Sequence, residues 1–186
     1  MKPIRIEMTN FGPYRQEVLD FSGLEDNHLF LISGRTGAGK SSIFDAMTYA
    51  LYDKTSSDRP VNELRSTFAG LTDPRTKVVF YFQHHNQLYR LERELDLKPR
   101  KGLDRGKGIG TSKASLAVVD AVGGLELDKL AGKSKETNQA VVDLLGLTSE
   151  QFKQIILLPQ YQFSQFLKSP TSEKLPILRQ IFATQV

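Results

Sequence analysis

Residues Gly34-Arg35-Thr36-Gly37-Ala38-Gly39-Lys40-Ser41 spell G-x-x-x-x-G-K-[ST], the phosphate-binding P-loop, and nothing else in the chain restricts its fold as strongly. A P-loop sits between a buried strand and the helix it opens. The apolar run Leu29-Phe30-Leu31-Ile32 precedes it and is short enough for such a strand. After it, Ile43, Phe44, Met47, Ala50 and Leu51 recur at the three-to-four-residue spacing of an amphipathic helix. With Gly at about 7% of residues, the four fixed positions match by accident in roughly one chain of this length in a hundred or fewer. A plain Gly-rich turn is the bland alternative, and the flanking strand and helix patterns speak against it.

The residue types predict the chemistry. Glycines at 34, 37 and 39 let the backbone curl and approach phosphates with no Cβ in the way. Successive amides from Gly37 to Lys40 then form an anion nest at the positive end of a helix. Lys40 would reach the β- and γ-phosphates, and Ser41 would put its hydroxyl on Mg2+. Ser42 either bonds the α-phosphate or faces solvent. The loop Gly34 to Ser42, Arg35, Thr36 and Ala38 included, is therefore the expected binding site for ATP with Mg2+. Phosphoryl chemistry also needs a carboxylate at the end of an apolar strand. Val118-Val119-Asp120 is a modest candidate, but Ala121-Val122-Gly123-Gly124 follows it and reads better as a hairpin turn.

At 186 residues the chain can bury one sizeable core. It has no cysteine, which excludes disulfides and cysteine-based metal sites. The N-terminal stretch alternates charge and hydrophobe, unlike a signal peptide, and no run approaches the ~20 apolar residues of a membrane span. A cytoplasmic protein with no membrane partner is expected. The formal net charge of +4 leans towards an anionic partner only if the excess is clustered.

Much of it is clustered. Lys98, Arg100, Lys101, Arg105, Lys107 and Lys113 lie in one Gly-rich segment against only Asp104. Two readings fit: a solvated hairpin tip, or a phosphate-backbone contact to DNA, for which mobile cations on a glycine-rich tip are suited. His84 and His85 would point to opposite faces of a strand, which argues against a shared metal and favours a turn position.

Along the chain, Ile4, Ile6 and Met8 alternate with Arg5, Glu7 and Thr9 as a half-buried strand, and Asn10-Phe11-Gly12-Pro13 turns it back towards Glu17–Phe21. Residues 53–72 read as an irregular loop. Lys77–Phe82 and Leu88–Leu95 read as two strands joined across His84-His85-Asn86, and Ala114–Asp120 as a third. Lys135–Leu145 reads as a helix with Gly146 as its C-cap. Thr148 or Ser149 would cap the next helix, Glu150–Ile155, and a final helix begins near Pro170-Thr171. The expected fold is α/β, with the P-loop strand in a central sheet joined to an antiparallel β subdomain.

Two stretches together carry a family resemblance. Leu157-Leu158-Pro159-Gln160-Tyr161-Gln162-Phe163-Ser164-Gln165-Phe166-Leu167 resembles the Q-loop of the SbcC family, SMC-like members of the ABC-type ATPases. Met1-Lys2-Pro3, the turn Asn10 to Tyr14, the loop and helix Gly34 to Leu51, and Leu145-Gly146-Leu147 before Gln151-Phe152 resemble that family in order and spacing. The resemblance implies that the whole chain is the N-terminal lobe of an ATPase head, divided as strands and P-loop helix (1–52), antiparallel strands with a basic tip (76–130), helical segment and Q-loop (134–168), and the root of a coiled coil (170–186). It implies that Gln160 ligates Mg2+ and senses the γ-phosphate and the attacking water. Tyr161 departs from the family, which often has glycine there. The implied partners are the C-terminal lobe of the same ATPase, a second ATPase subunit in an ATP-sandwiched homodimer, a metal-dependent nuclease subunit, and DNA.

The resemblance implies ATP binding and hydrolysis that control a nuclease in DNA double-strand-break or hairpin processing, with the lobe alone inactive because the signature motif and Walker B carboxylates lie elsewhere. Two alternatives stand beside it. A free-standing P-loop phosphotransferase would need an acceptor lid and a Walker B aspartate within the chain. The nucleotide-binding subunit of an ABC transporter would need an aromatic residue to stack adenine, a part Tyr14 could imitate, and a downstream signature motif.

Overall fold

A computed structural model describes residues 1–23, 32–56, 59–70, 73–98 and 109–155. The chain divides into two compact units, Met1–Leu145 and Gly146–Val186. The first contains strands β1 (Lys2–Phe11) and β2 (Tyr14–Asp20), helix α1 (Lys40–Tyr52), a short 3-10 turn (Val61–Glu63), strands β3 (Thr76–His84), β4 (Gln87–Lys98), β5 (Ile109–Val119) and β6 (Glu126–Ala131), and helix α2 (Ser134–Leu145). The second contains α3 (Ser149–Ile155).

The strands form one six-stranded sheet in the order β2-β1-β3-β4-β5-β6. Every neighbouring pair in it is antiparallel. Period-two alternation gives the sheet two different faces. On one face Ile6, Met8, Val78, Phe80, Phe82, Tyr89, Leu91, Leu95, Ala114 and Leu116 are buried. In register, Ile6 meets Phe80, Phe80 meets Leu91, and Leu91 meets Leu116, so one apolar row crosses four strands. The rings of Phe82 and Tyr89 stack at 5.3 Å. α1 packs on this face against β1, β3 and β4, and α2 packs against β5, β6 and α1. Full burial of each large apolar side chain stabilises by about 1.5–3 kcal/mol, so this face holds the unit together.

The opposite face is solvated and laced with cross-strand ion pairs. Lys77 binds Glu92 at 2.8 Å, Arg75 binds Glu94 at 2.7 Å and Asp96 at 3.5 Å, and Arg90 binds Glu126 at 2.8 Å. Exposed pairs of this kind contribute little each. A small patch of Val79, Tyr81 and Val119 is buried on this side, with Ile4, Leu88 and Val122 against it.

The strands expected for the antiparallel sheet are all present; the strand expected at Leu29–Ile32 falls largely outside the described residues. β5 starts earlier than its apolar residues suggest and ends at Val119. β6 was not expected: its sequence Glu-Leu-Asp-Lys-Leu-Ala is an edge strand exposed at every position but Ala131, so no buried alternation marks it. The β3–β4 turn is His85-Asn86, with φ of +45° and +62°, the geometry of a tight two-residue hairpin. His84 closes β3, and its ring stacks on that of His85 at 4.0 Å. Burial first, then His85 and the chain's amino terminus, hold His84 below the usual histidine range. Among the described residues no cluster of His, Asp and Glu could hold a metal ion.

In the second unit, Thr148 Oγ1 accepts from the Gln151 amide at 3.3 Å, and Gln151 Oε1 accepts from the Thr148 amide at 2.9 Å. This reciprocal capping box starts α3 and decides for Thr148 over Ser149 as its cap. Gly146, at φ +66°, takes the left-handed conformation expected of it after α2. Leu29–Leu31, the segment 157–167 with Gln160, and the helix expected from Pro170 lie outside the described residues.

Candidate nucleotide-binding site

The P-loop is built as its sequence dictates. Gly37 and Gly39 sit at φ +84° and +88°, where a side chain is strained, and Lys40 opens α1 directly after Gly39. The Ala38 amide bonds the Arg35 carbonyl at 3.1 Å, and the Ser42 amide bonds that of Gly39 at 2.8 Å. The stretch Gly34–Ala38 is exposed, as is Ser41. The amides of a helix's first turn have no carbonyl one turn back, and the helix dipole makes that end positive. No acidic residue occupies the first turn of α1, so nothing on the helix itself competes with an incoming anion there.

Lys40 folds back over the loop: its Nζ donates to the carbonyls of Gly34 at 2.7 Å and Arg35 at 2.8 Å. The ammonium is thus held over the loop that would receive phosphates. Ser42 is half-buried, next to Gly12: a Cβ built on Gly12 would come within 3.3 Å of its Oγ.

Sequence reasoning did not foresee what stands behind the loop. Tyr14 donates its hydroxyl to the Gly39 carbonyl at 3.1 Å. A Cβ on Gly39 would lie 2.7 Å from Pro13 Cγ and 2.8 Å from the Tyr14 oxygen. The β1–β2 turn therefore forms the back wall of the P-loop, and the third motif glycine is needed for close approach as well as for φ. The turn is itself anchored. The Gly12 amide donates to Leu64 O at 2.7 Å, the Ser66 amide to Asn10 O at 3.0 Å, and Asn10 Nδ2 to Pro74 O at 2.8 Å. With its hydroxyl engaged by the loop backbone, Tyr14 belongs to the framework of the site. Burial, with a smaller contribution from Glu17, raises its pKa above the ordinary phenol value.

A second unforeseen element grips the other end of α1. Arg93, on β4, is fully buried. Its Nε donates to Ala50 O at 2.9 Å, Nη1 to Ser134 Oγ at 2.8 Å, and Nη2 to Asn138 Oδ1 at 2.6 Å. Asp53, the left-handed C-cap of α1 at φ +59°, lies 3.5 Å from Nη1. It accepts from Ser112 Oγ at 2.6 Å and Ser134 Oγ at 3.2 Å. One sign was legible: Arg93 shares strand phase with Tyr89, Leu91 and Leu95, all inward-facing.

Asp120 takes no part in the loop. It closes the β5–β6 hairpin, accepting from the Leu125 amide at 2.7 Å, as its Gly-rich sequel suggested. Of the basic residues 98–113, Lys98 ends β4, and Lys113 is exposed on the charged face of β5 in register with Glu94. Arg100, Lys101, Arg105 and Lys107 lie outside the described residues, as does Gln160. No helix among the described residues is long and apolar enough to cross a membrane.

Residues 5–185 match the AAA domain family. The chain belongs to it. The SbcC subunit of nuclease SbcCD from Lactococcus lactis subsp. lactis (strain IL1403) is 50% identical over all 186 residues, which correspond to 18% of that protein. The protein of the same name from Staphylococcus aureus (strain MRSA252) is 40% identical over the same span, again 18% of its length. The chain thus spans under a fifth of these curated relatives. A solved structure from work on the ATP-driven dimerization and DNA-stimulated activation of SMC ATPases superposes with a TM-score of 0.58 at 16% identity, covering 97% of this chain and 99% of that one. The AAA domain chain therefore has the fold of an SMC-like P-loop ATPase lobe, as its P-loop and Leu157–Leu167 segments led one to expect.

Proposed function

We propose that this AAA domain chain is the ATP-binding N-terminal lobe of an SMC-like ATPase whose nucleotide cycle controls a nuclease acting on DNA double-strand breaks or hairpins. The observation that carries the reading is a P-loop correctly seated on the N-terminus of α1 within a chain 50% identical, end to end, to part of the SbcC subunit of a nuclease SbcCD. The exposed loop, the positive helix end, the overhanging Lys40 and the exposed Ser41 suit a triphosphate with Mg2+. When bound, Mg2+ would neutralise charge on the phosphates, with Ser41 and Gln160 as its protein ligands. Lys40 would leave the carbonyls of Gly34 and Arg35 for the β- and γ-phosphates. Ser42 would add its hydroxyl on the α-phosphate side.

Hydrolysis needs carboxylates and a signature motif from a C-terminal lobe and a second subunit, so ATP would be sandwiched in a homodimer whose closure regulates a metal-dependent nuclease partner on DNA. A neutral amide at Gln160 can ligate the metal without cancelling its charge and can follow loss of the γ-phosphate. A cytoplasmic location suits a role in DNA processing. A self-contained phosphotransferase is disfavoured because Asp120, its best candidate carboxylate, is engaged in closing a hairpin.

Titration calorimetry of the intact protein with ATP and Mg2+ tests the reading. Lys40→Met removes charge-assisted bonds worth about 1.5–3 kcal/mol each, so affinity should fall at least tenfold. Gln160→Ala should reduce turnover more than binding. Unchanged affinity in Lys40→Met would remove the P-loop from the nucleotide site.

A further inference from the structure

Helix α1 carries no basic residue in its last turn and no acidic residue in its first, so its own sequence leaves the negative C-terminal pole uncompensated. Compensation comes from the sheet. We infer that Arg93 is a positioning residue for nucleotide binding, fixing the P-loop helix from its far end; this rests on the nucleotide-binding reading of the loop.

The geometry is specific. The guanidinium is planar, and its three nitrogens point to three acceptors on two helices at once: the Ala50 carbonyl of α1, Ser134 at the start of α2, and Asn138 one turn further along α2. Ser134 acts as a relay, accepting from Arg93 and donating to Asp53. Ser112 donates to the other Asp53 oxygen and lies 3.3 Å from the Tyr49 hydroxyl. The Arg93 guanidinium also lies 5.8 Å from the centre of the Tyr49 ring. The last turn of α1 is thereby tied to β4, β5 and α2 by directional bonds.

A buried apolar side chain would fill the same space without the desolvation cost of a charge. What an arginine adds is direction: bonds at defined angles fix both the rotation and the translation of α1, which packing alone restrains loosely. The helix is about 20 Å long and stiff, so displacement at Ala50 is felt at Gly39 and Lys40. There the amides must meet phosphate oxygens within the narrow range of a good hydrogen bond. Tyr14 and Pro13 hold the N-terminal end of α1, and Arg93 holds the C-terminal end.

The test uses the intact protein with Mg-ATP as probe. Arg93→Lys keeps the charge and most of the stem but cannot reach three acceptors together; Ser134→Ala removes only the relay. Val141→Ala trims a buried α2 side chain and serves as a control for loss of stability alone. ATP Kd is measured by calorimetry well below each melting temperature, so that all chains are folded. The expected result is a Kd raised fivefold or more in Arg93→Lys and measurably in Ser134→Ala, with Val141→Ala within twofold of wild type despite its lower Tm. A smaller rise in Arg93→Lys, or an equal rise in Val141→Ala, overturns the inference. If Arg93→Lys does not fold, Ser134→Ala decides: an unchanged Kd overturns the inference and a raised one supports it. Failure of the wild type to bind ATP would instead overturn the nucleotide-binding reading itself.

Discussion

The Tyr14 hydroxyl rests on the Gly39 carbonyl at 3.1 Å, joining a strand at the start of the sheet to the residue that launches the P-loop helix. The two are far apart in sequence, yet the loop's shape depends on both. Pro13 and Tyr14 leave Gly39 no room for a side chain.

Gly37 and Gly39 should therefore respond differently to the same substitution. Both have φ well above zero, so Ala costs roughly 1–2 kcal/mol at either from backbone strain. At Gly37 a Cβ meets nothing within 4 Å, whereas at Gly39 it collides with Pro13 and Tyr14. Gly39→Ala should cost a further ~1–3 kcal/mol from overpacking. Urea unfolding of the two variants measures the difference, and equal losses would mean that the turn does not wall the loop. Tyr14→Phe should cost about 0.5–1.5 kcal/mol through removal of its hydrogen bond.

Alkaline pH should weaken the fold through its buried phenols. Burial raises the pKa of Tyr14, Tyr49 and Tyr52. Below about pH 10, the ordinary tyrosine value, they are neutral folded or unfolded and contribute no pH dependence. Above it the unfolded chain ionises first, the folded chain holds more protons, and stability falls as pH rises. Denaturant midpoints between pH 8 and 11 should decline at the upper end, and Tyr52→Phe, whose phenol is shifted by burial alone, should flatten that limb. An unaltered limb in the variant would show that Tyr52 titrates normally.

Thr148→Ala removes the acceptor that starts α3 and half of its capping box. Loss of an N-cap costs about 1 kcal/mol. Amide hydrogen exchange at Gln151 should quicken about fivefold, while exchange at β3 amides such as Phe80 stays as in the wild type. Equal protection at Gln151 in both proteins would mean that the box does not hold the helix start.

Replacing Arg100, Lys101, Arg105 and Lys107 with Gln in the intact protein should flatten the salt dependence of DNA binding. For every duplex phosphate that one of these cations neutralises, its removal should lower the log–log slope by about 0.9. The same slope before and after would assign the segment to a solvated hairpin.

The P-loop, the start of α1 at Lys40, the β3–β4 hairpin and the capped α2 and α3 helices were legible because each is a local event. A glycine that permits positive φ, an apolar period or a capping side chain acts within a few residues of itself. The Ala121–Gly124 turn was legible for the same reason, and Asp120 closes that hairpin. β6 was not, since an exposed edge strand has no buried phase to read. The wall behind Gly39 and the grip on Ala50 were decided by tertiary structure alone. Tyr14 reaches the loop only because β1 and β2 pair in one register. Arg93 reaches the end of α1 only because β4 turns that residue inward, beneath a helix more than forty residues earlier in the chain. Sequence fixes which backbone conformations are cheap; which distant polar groups meet is fixed by the register of a sheet, where a shift of one residue would have turned Arg93 out to water.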